Sequence, residues 1–185
     1  TSGDYVASVF IDHQVTYEFA DLIIAANYKQ LTQRLGPGVS VSIRQVSQDG
    51  KRWIVKAFGP QEPGGWGVYN TETQKLDRVA NVLSDININN LGRMDVVDYT
   101  ASDGQALSGY LTHPPSGTSG AKPLVVLVHG GPEARDYFDF EQWSQYLASN
   151  GFRVFQPQFR GSSGYGKAFA EAGYGQWGGL MQDDV

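Results

Sequence analysis

The spacing of apolar and polar residues changes partway along the chain. In the first half, apolar positions alternate with polar ones over short runs, as strands with one buried face do. Val39-Ser40-Val41-Ser42-Ile43 is such a run. Gln48-Asp49-Gly50-Lys51 reads as a turn, with Gly50 free to take positive φ. Residues 52–58 are then the returning strand. Residues 59–65, with Pro60 and Pro63, read as a loop. Residues 66–70 and 75–79 are two more strands around the turn Thr71-Glu72-Thr73-Gln74. Four short antiparallel strands in this span suit one propeller blade of ~40–45 residues, and an isolated meander equally well. Upstream, residues 21–35 have helical spacing, with Leu22, Ala25, Ala26 and Leu31 near one face and Gly36-Pro37-Gly38 as a stop.

From about Asp95 the rhythm is different. Residues 96–100 and 106–112 read as strands around the turn Ser102-Asp103-Gly104, and residues 114–121 as a Pro/Gly/Ser loop. Leu124-Val125-Val126-Leu127-Val128 is unbroken apolar sequence, the mark of a strand covered on both faces. Residues 140–150 are amphipathic, with Trp143, Tyr146 and Leu147 on one side and Gly151 as C-cap. Residues 153–159 are a further strand. Strand, helix, strand in this order implies a parallel pair joined by a right-handed crossover.

Composition narrows the function classes. Of the 185 residues, 41% are aliphatic or aromatic and 18% charged, which permits a buried core and argues against wholesale disorder. The 14 Lys and Arg against 19 Asp and Glu give a net charge of −5, with no basic tract to follow a nucleic-acid backbone. No apolar run approaches the ~20 residues of a membrane span. Thr1-Ser2-Gly3-Asp4 has neither a basic start nor an apolar stretch, so no signal peptide is visible, and the compartment stays open. With no Cys, disulfides and thiolate metal sites are excluded. Asp85-Ile86-Asn87-Ile88-Asn89 resembles a calcium loop in outline. However, Asn90 replaces the Gly and Val96 the Glu such a loop needs, so it reads as a polar linker.

Two segments could carry chemistry. Val128-His129-Gly130-Gly131-Pro132 directly follows the apolar run. Its glycines let backbone N–H groups approach a ligand, and such a loop can supply one donor to an oxyanion hole. It can equally be a tight turn that simply needs glycine. The second segment is Phe159-Arg160-Gly161-Ser162-Ser163-Gly164-Tyr165-Gly166-Lys167. Gly161, Gly166 and Lys167 mimic a phosphate-binding P-loop, but Ala168 stands where Ser or Thr should hold Mg²⁺. The segment reads instead as a Gly-rich loop packed beneath a site, anchored by Arg160 on a carboxylate. Glu133, Arg135 and Asp136 read as a solvated loop, Trp177 as core packing, and Asp183 and Asp184 as part of a helix.

His129-Gly130-Gly131-Pro132, the segment Gln156-Pro157-Gln158-Phe159-Arg160-Gly161-Ser162-Ser163-Gly164-Tyr165-Gly166, then Gln176-Trp177-Gly178-Gly179 and Gln182-Asp183-Asp184-Val185 resemble the prolyl oligopeptidase family. The likeness is closest to its acylaminoacyl-peptidase and dipeptidyl-peptidase branches. It covers residues 96–185 closely and residues 1–95 more loosely, best in Pro63-Gly64-Gly65-Trp66-Gly67-Val68-Tyr69-Asn70. The resemblance implies an α/β protein: residues 1–95 as the end of a β-propeller built of antiparallel blades, residues 96–185 as the start of an α/β-hydrolase domain, both incomplete. It implies a serine peptidase acting on short peptides by Ser-His-Asp acyl transfer. Gly130 then occupies the place of an oxyanion-hole N–H, and His129 and Gly131 belong to the same loop. No cofactor or metal is implied.

The chain departs from the family pattern in one respect. A G-x-S-x-G elbow is absent; Gly117-Thr118-Ser119-Gly120-Ala121 and Gly161-Ser162-Ser163-Gly164-Tyr165 both lack the second Gly in place. The triad is expected beyond Val185, so the chain alone is expected to be inactive. None of the three histidines qualifies as its base: His13 reads as a surface residue, His113 as the end of a strand, and His129 as part of the oxyanion loop. The expected partners are a short peptide and either the remainder of a longer protein or a second copy, to cover open sheet edges. An esterase- or lipase-type hydrolase fragment and a non-catalytic, propeller-based binding module are the alternatives.

Overall fold

The computed structural model describes residues 6–116, 120 and 122–185; the Gly117–Ala121 near-match to a nucleophile elbow lies outside the described residues except for Gly120. The chain divides into two compact units, Thr1–Ile88 and Asn89–Val185.

In the first unit, β1 (Ala7–Asp12) and β2 (Gln14–Phe19) form a hairpin that turns at His13, where φ is 55°. Strand alternation in β1 is hard to read, because Val9, Phe10 and Ile11 are consecutive and all exposed. Helix α1 (Leu22–Leu35) starts at Asp21, whose carboxylate accepts from the N–H groups of Ile23 at 2.7 Å and Ile24 at 3.1 Å. That satisfies donors the first turn would otherwise leave open.

Four antiparallel strands follow in sequential order: β3 (Ser40–Val46), β4 (Arg52–Gly59), β5 (Glu62–Asn70) and β6 (Lys75–Asn81). The expected loop over 59–65 shrinks to a turn at Pro60 and Gln61. Register between β4 and β5 shifts between Ala57 and Gly59, and Pro63, which has no N–H to give, falls beside this irregularity. Further along β5, a side chain at Gly65 would collide with the Arg78 guanidinium, which crosses the sheet to Glu62 at 2.7 Å.

The helix packs on this sheet through Ile24, Tyr28, Leu31 and Leu35, one stripe at helical spacing, against Val41, Trp53, Val55 and Tyr69. This corrects the expected face. Leu22, at the first helical position, is 83% exposed, whereas Leu31 is fully buried. The stripe with bulk at every turn wins over the one that relies on two alanines. Leu31→Ala is expected to cost about 2–5 kcal/mol in unfolding free energy. Leu22→Ala should stay within about 0.5 kcal/mol, and chemical denaturation of both variants checks the ordering.

The second unit holds β7 (Met94–Thr100), β8 (Ala106–Thr112), β9 (Leu124–Val126), α2 (Gln142–Ser149), β10 (Arg153–Gln158), α3 (Lys167–Glu171) and α4 (Leu180–Asp183). The sheet order is β7-β8-β10-β9, with β9 and β10 parallel across α2 and the other pairs antiparallel. Two expectations are overturned here. The apolar run 124–128 is not covered on both faces: Leu124, Val126 and Val128 are exposed, and α2 packs chiefly on β10 and β8. And α2 does not bury Trp143 and Tyr146, which are 67% and 61% exposed.

The face of α2 that goes inward is Ser144, Gln145 and Ala148. Polar groups are tolerated there because each is paired. Gln145 accepts from Gly92 N–H at 2.8 Å and donates to Gly92 O at 2.9 Å, and Ser144 donates to Gln156 at 2.8 Å. At the helix end, Gly151 (φ 94°) sits one residue past the cap, its N–H donating to Ala148 O at 2.9 Å.

The end of β10 is fixed by charge. Arg160 is 5% exposed, and its guanidinium is bracketed by two carboxylates. It donates to Asp184 through Nε at 2.8 Å and Nη2 at 2.7 Å, and to Asp103 through Nη1 at 2.7 Å and Nη2 at 2.9 Å. Its backbone N–H also donates to Asp184, at 2.9 Å. The turn between β7 and β8, the exit of β10 and the end of α4 therefore meet on one side chain. Asp184→Asn leaves a buried guanidinium short of charge and should cost about 3–5 kcal/mol. Asp103→Asn, at the open side of the pair, should cost visibly less by thermal unfolding; equal losses would contradict this division. The Arg160 hydrogen bonds hold the Asp103 carboxyl down to about 2. The stabilisation from that pair is therefore complete above the ordinary carboxylate range and is lost only as pH falls toward 2.

Candidate functional site

The residues of interest follow β9. Leu127 N–H still donates to Phe155 O at 2.8 Å, and the chain then leaves the sheet through His129-Gly130-Gly131-Pro132. The two glycines answer different demands. Gly131 has φ 133°, and a Cβ there would meet the backbone nitrogens of Ala134 and Glu133 at 2.6 and 2.8 Å, so the turn itself requires glycine. Gly130 has no positive φ, and a Cβ on it would meet nothing within 4 Å. Nothing among the described residues calls for glycine at 130, and the space beside it is open there.

The Gly-rich loop after β10 lies against this turn. His129 stacks on Phe159, with ring centroids 4.4 Å apart and planes 19° from parallel. Its Nε2 lies 3.0 Å from Ser162 Oγ, and its Nδ1 2.9 Å from Gly130 O. Ser162 is fully buried and donates its hydroxyl proton to Phe159 O at 2.6 Å. Ser163 N–H donates to Ala134 O at 2.9 Å.

Arg135 adds a further link, with Nη2 donating to the hydroxyls of Tyr110 at 3.2 Å and Tyr165 at 3.1 Å. Its guanidinium also stands 4.6 Å over the Tyr165 ring. Gly164 (φ 84°) makes room for it, since a Cβ there would collide with Arg135 Nη1.

Arg135 and Asp136 are thus not a solvated loop, as their polarity suggests. Gln158 accepts from Asp136 N–H at 3.3 Å and donates to Asp136 O at 3.0 Å. Burial pushes the Asp136 carboxyl above its ordinary range, against the opposing pull of His129. One oxygen, Oδ2, is buried without a hydrogen-bond partner among the described residues. Glu133 remains exposed and accepts from the Tyr174 hydroxyl, which raises the tyrosine above its usual value.

A cavity of about 560 Å³ opens beside the turn, lined by Gly131, Pro132, Glu133, Tyr174 and Trp177 among others. Trp177 is 78% exposed, so it does not pack in the core as its size suggests. It lies between Gly175 and Gly178, both at φ 71°, and these turns carry the indole outward.

The candidates read from the sequence, His129, Gly130 and Gly131, share this turn simply because they adjoin in the chain. What the sequence does not reveal is their pairing with Ser162, 33 residues away, since no spacing rule links the two loops. The pair has the separation of a nucleophile and its base, yet the Ser162 proton is already engaged and the residue is closed to substrate. The other histidines lie elsewhere. His113 Nε2 pairs with Asp95 at 2.9 Å just past β8, and His13 is at the tip of the β1–β2 hairpin.

Known proteins resemble the chain along nearly its whole length. Residues 138–185 match the Prolyl oligopeptidase family. The dipeptidyl aminopeptidase BIII of Pseudoxanthomonas mexicana is 34% identical over 97% of this chain and 27% of its own length. Dipeptidyl peptidase family member 6 of Caenorhabditis elegans is 29% identical over 84% of this chain and 24% of its own. The chain therefore spans about a quarter of these curated relatives. The crystal structure of a puromycin hydrolase superposes on 80% of this chain and 23% of that one, with a TM-score of 0.63 and 24% identity, a likeness of fold. By the family match at residues 138–185, and by sequence likeness over nearly its full length, this chain belongs to the prolyl oligopeptidase family.

Proposed function

We propose that the chain is part of a serine-type exo- or oligopeptidase that hydrolyses short peptides by acyl transfer. Residues 1–95 are read as closing blades of a β-propeller and residues 96–185 as the first part of an α/β-hydrolase domain. The attacking serine, its histidine and its aspartate are read as lying outside residues 1–185. The dipeptidyl peptidase names of the relatives support release of short N-terminal pieces.

In such a reaction the serine oxygen attacks the peptide carbonyl while a histidine takes its proton. The resulting oxyanion needs preorganised donors before the amine departs with that proton. Gly130 N–H is the donor we assign to this chain. The observation that carries the assignment is the empty space at Gly130. A tight turn explains Gly131 and leaves Gly130 unexplained; a substrate that must approach the backbone explains it. Ser162 is excluded as nucleophile by its burial and its bond to Phe159 O.

Gly130→Ala therefore separates fold from function. In the full-length protein it should leave the thermal midpoint unchanged, because the methyl group meets nothing within 4 Å among the described residues. It should cut peptidase kcat/KM by about 100-fold or more, the scale of a lost oxyanion donor. Unchanged activity would remove Gly130 from the site. A fluorophosphonate should label one serine outside residues 1–185 and leave Ser162 unlabelled. A protein that cleaves esters but no peptides would favour an esterase instead.

A further inference from the structure

The loop Gly161-Ser162-Ser163-Gly164-Tyr165 carries a P-loop-like glycine pattern that phosphate binding does not explain. Its geometry has another use. Gly161, Gly164 and Gly166 have φ of 95°, 84° and 93°, values that keep the segment folded back under the 129–135 turn. Three of its residues then grip that turn: Ser162 at His129, Ser163 at Ala134 O and Tyr165 at Arg135.

The Ser162 link is directional, and the number of protons fixes its sense. A serine hydroxyl has one proton. Here it goes to Phe159 O, since two bare oxygens do not rest 2.6 Å apart. Ser162 Oγ must then accept from His129, so the imidazole carries a proton on Nε2. Nδ1, 2.9 Å from Gly130 O, can donate there as well only when the ring is cationic; the Nε2 proton is needed in either charge state. With Nε2 held by Ser162 and one ring face held by Phe159, the His129 ring has a single orientation. The peptide unit that follows it carries Gly130 N–H.

We propose that Ser162 is a positioning residue for acyl transfer. It fixes the Nε2 proton and the orientation of His129, and through that ring the direction of Gly130 N–H. This rests on the peptidase reading above, in which that N–H meets the oxyanion. Ser162 touches neither substrate nor reacting atoms. Its cost when lost should therefore appear in the reacting geometry and not in substrate binding.

Ser162→Ala tests this directly. The alanine fits the same space, and Phe159 O keeps a donor in the residue-162 N–H at 3.0 Å. In the full-length protein, kcat should fall between about 10- and 100-fold with KM within about twofold, the pattern of lost transition-state stabilisation. His129→Phe keeps the stack on Phe159 and removes the donor. Adding Ser162→Ala to it should bring no further loss, because His129→Phe has already removed that link. Amide hydrogen exchange read by mass spectrometry gives an answer that needs no activity. Exchange should quicken in residues 127–135 of Ser162→Ala and stay unchanged in β7 and β8. Wild-type kcat in Ser162→Ala, multiplying losses in the double variant, or unaltered exchange at 127–135 would each overturn the proposal. A wild-type protein that hydrolyses no peptide or ester would instead sink the peptidase reading, while the exchange result would still decide whether Ser162 holds the turn.

Discussion

Everything near the candidate site hangs on one guanidinium. Arg160 lies two residues past β10, and the loop that supports the His129–Pro132 turn begins at the next residue. Five hydrogen bonds from Arg160 to Asp103 and Asp184 tie that point to a turn 57 residues earlier and to α4, 24 residues later. Burying an arginine is costly unless its charge is met and its donors are filled. Here both conditions are satisfied on a planar fork suited to two carboxylates. Asp184 is 2% exposed, so neither partner can be given up without leaving the other stranded.

From this fixed point the constraint passes along covalent chain and short contacts. Phe159, one residue before Arg160, supplies the ring under His129. Ser162 and Ser163, two and three residues after it, supply the contacts to His129 and to Ala134. The turn that presents Gly130 is thus held from beneath by a loop that is itself pinned at its root. Such stacking of supports suits the donor role proposed for Gly130 N–H, since a preorganised donor is effective where reorganisation is costly.

The strands were largely legible because alternation and turn residues are local signals. Val41 and Ser42, or Asp49 and Gly50, announce their structure within a few positions. The helix faces were less legible, because burial depends on what lies opposite. In α2 the inward residues are polar, and only Gly92 and Gln156, brought in by the fold, make Ser144 and Gln145 acceptable there. The same holds for the 124–128 run, whose apolar residues imply cover on both faces while α2 packs chiefly on β10 and β8. At the site, the glycine turn and the anchoring role of Arg160 could be read from residue types. The Ser162–His129 contact and the burial of Asp136 could not, because both arise from two loops meeting in space.

The proposed function puts the oxyanion on the open side of Gly130. The most direct measurement is a crystal structure of the full-length protein phosphonylated at its nucleophilic serine, since the phosphonyl oxygen stands where the oxyanion would. That oxygen should lie within about 3 Å of the Gly130 nitrogen, the range of a donated hydrogen bond. A phosphonyl oxygen directed away from residues 129–132, with its donors drawn from elsewhere, would contradict the assignment.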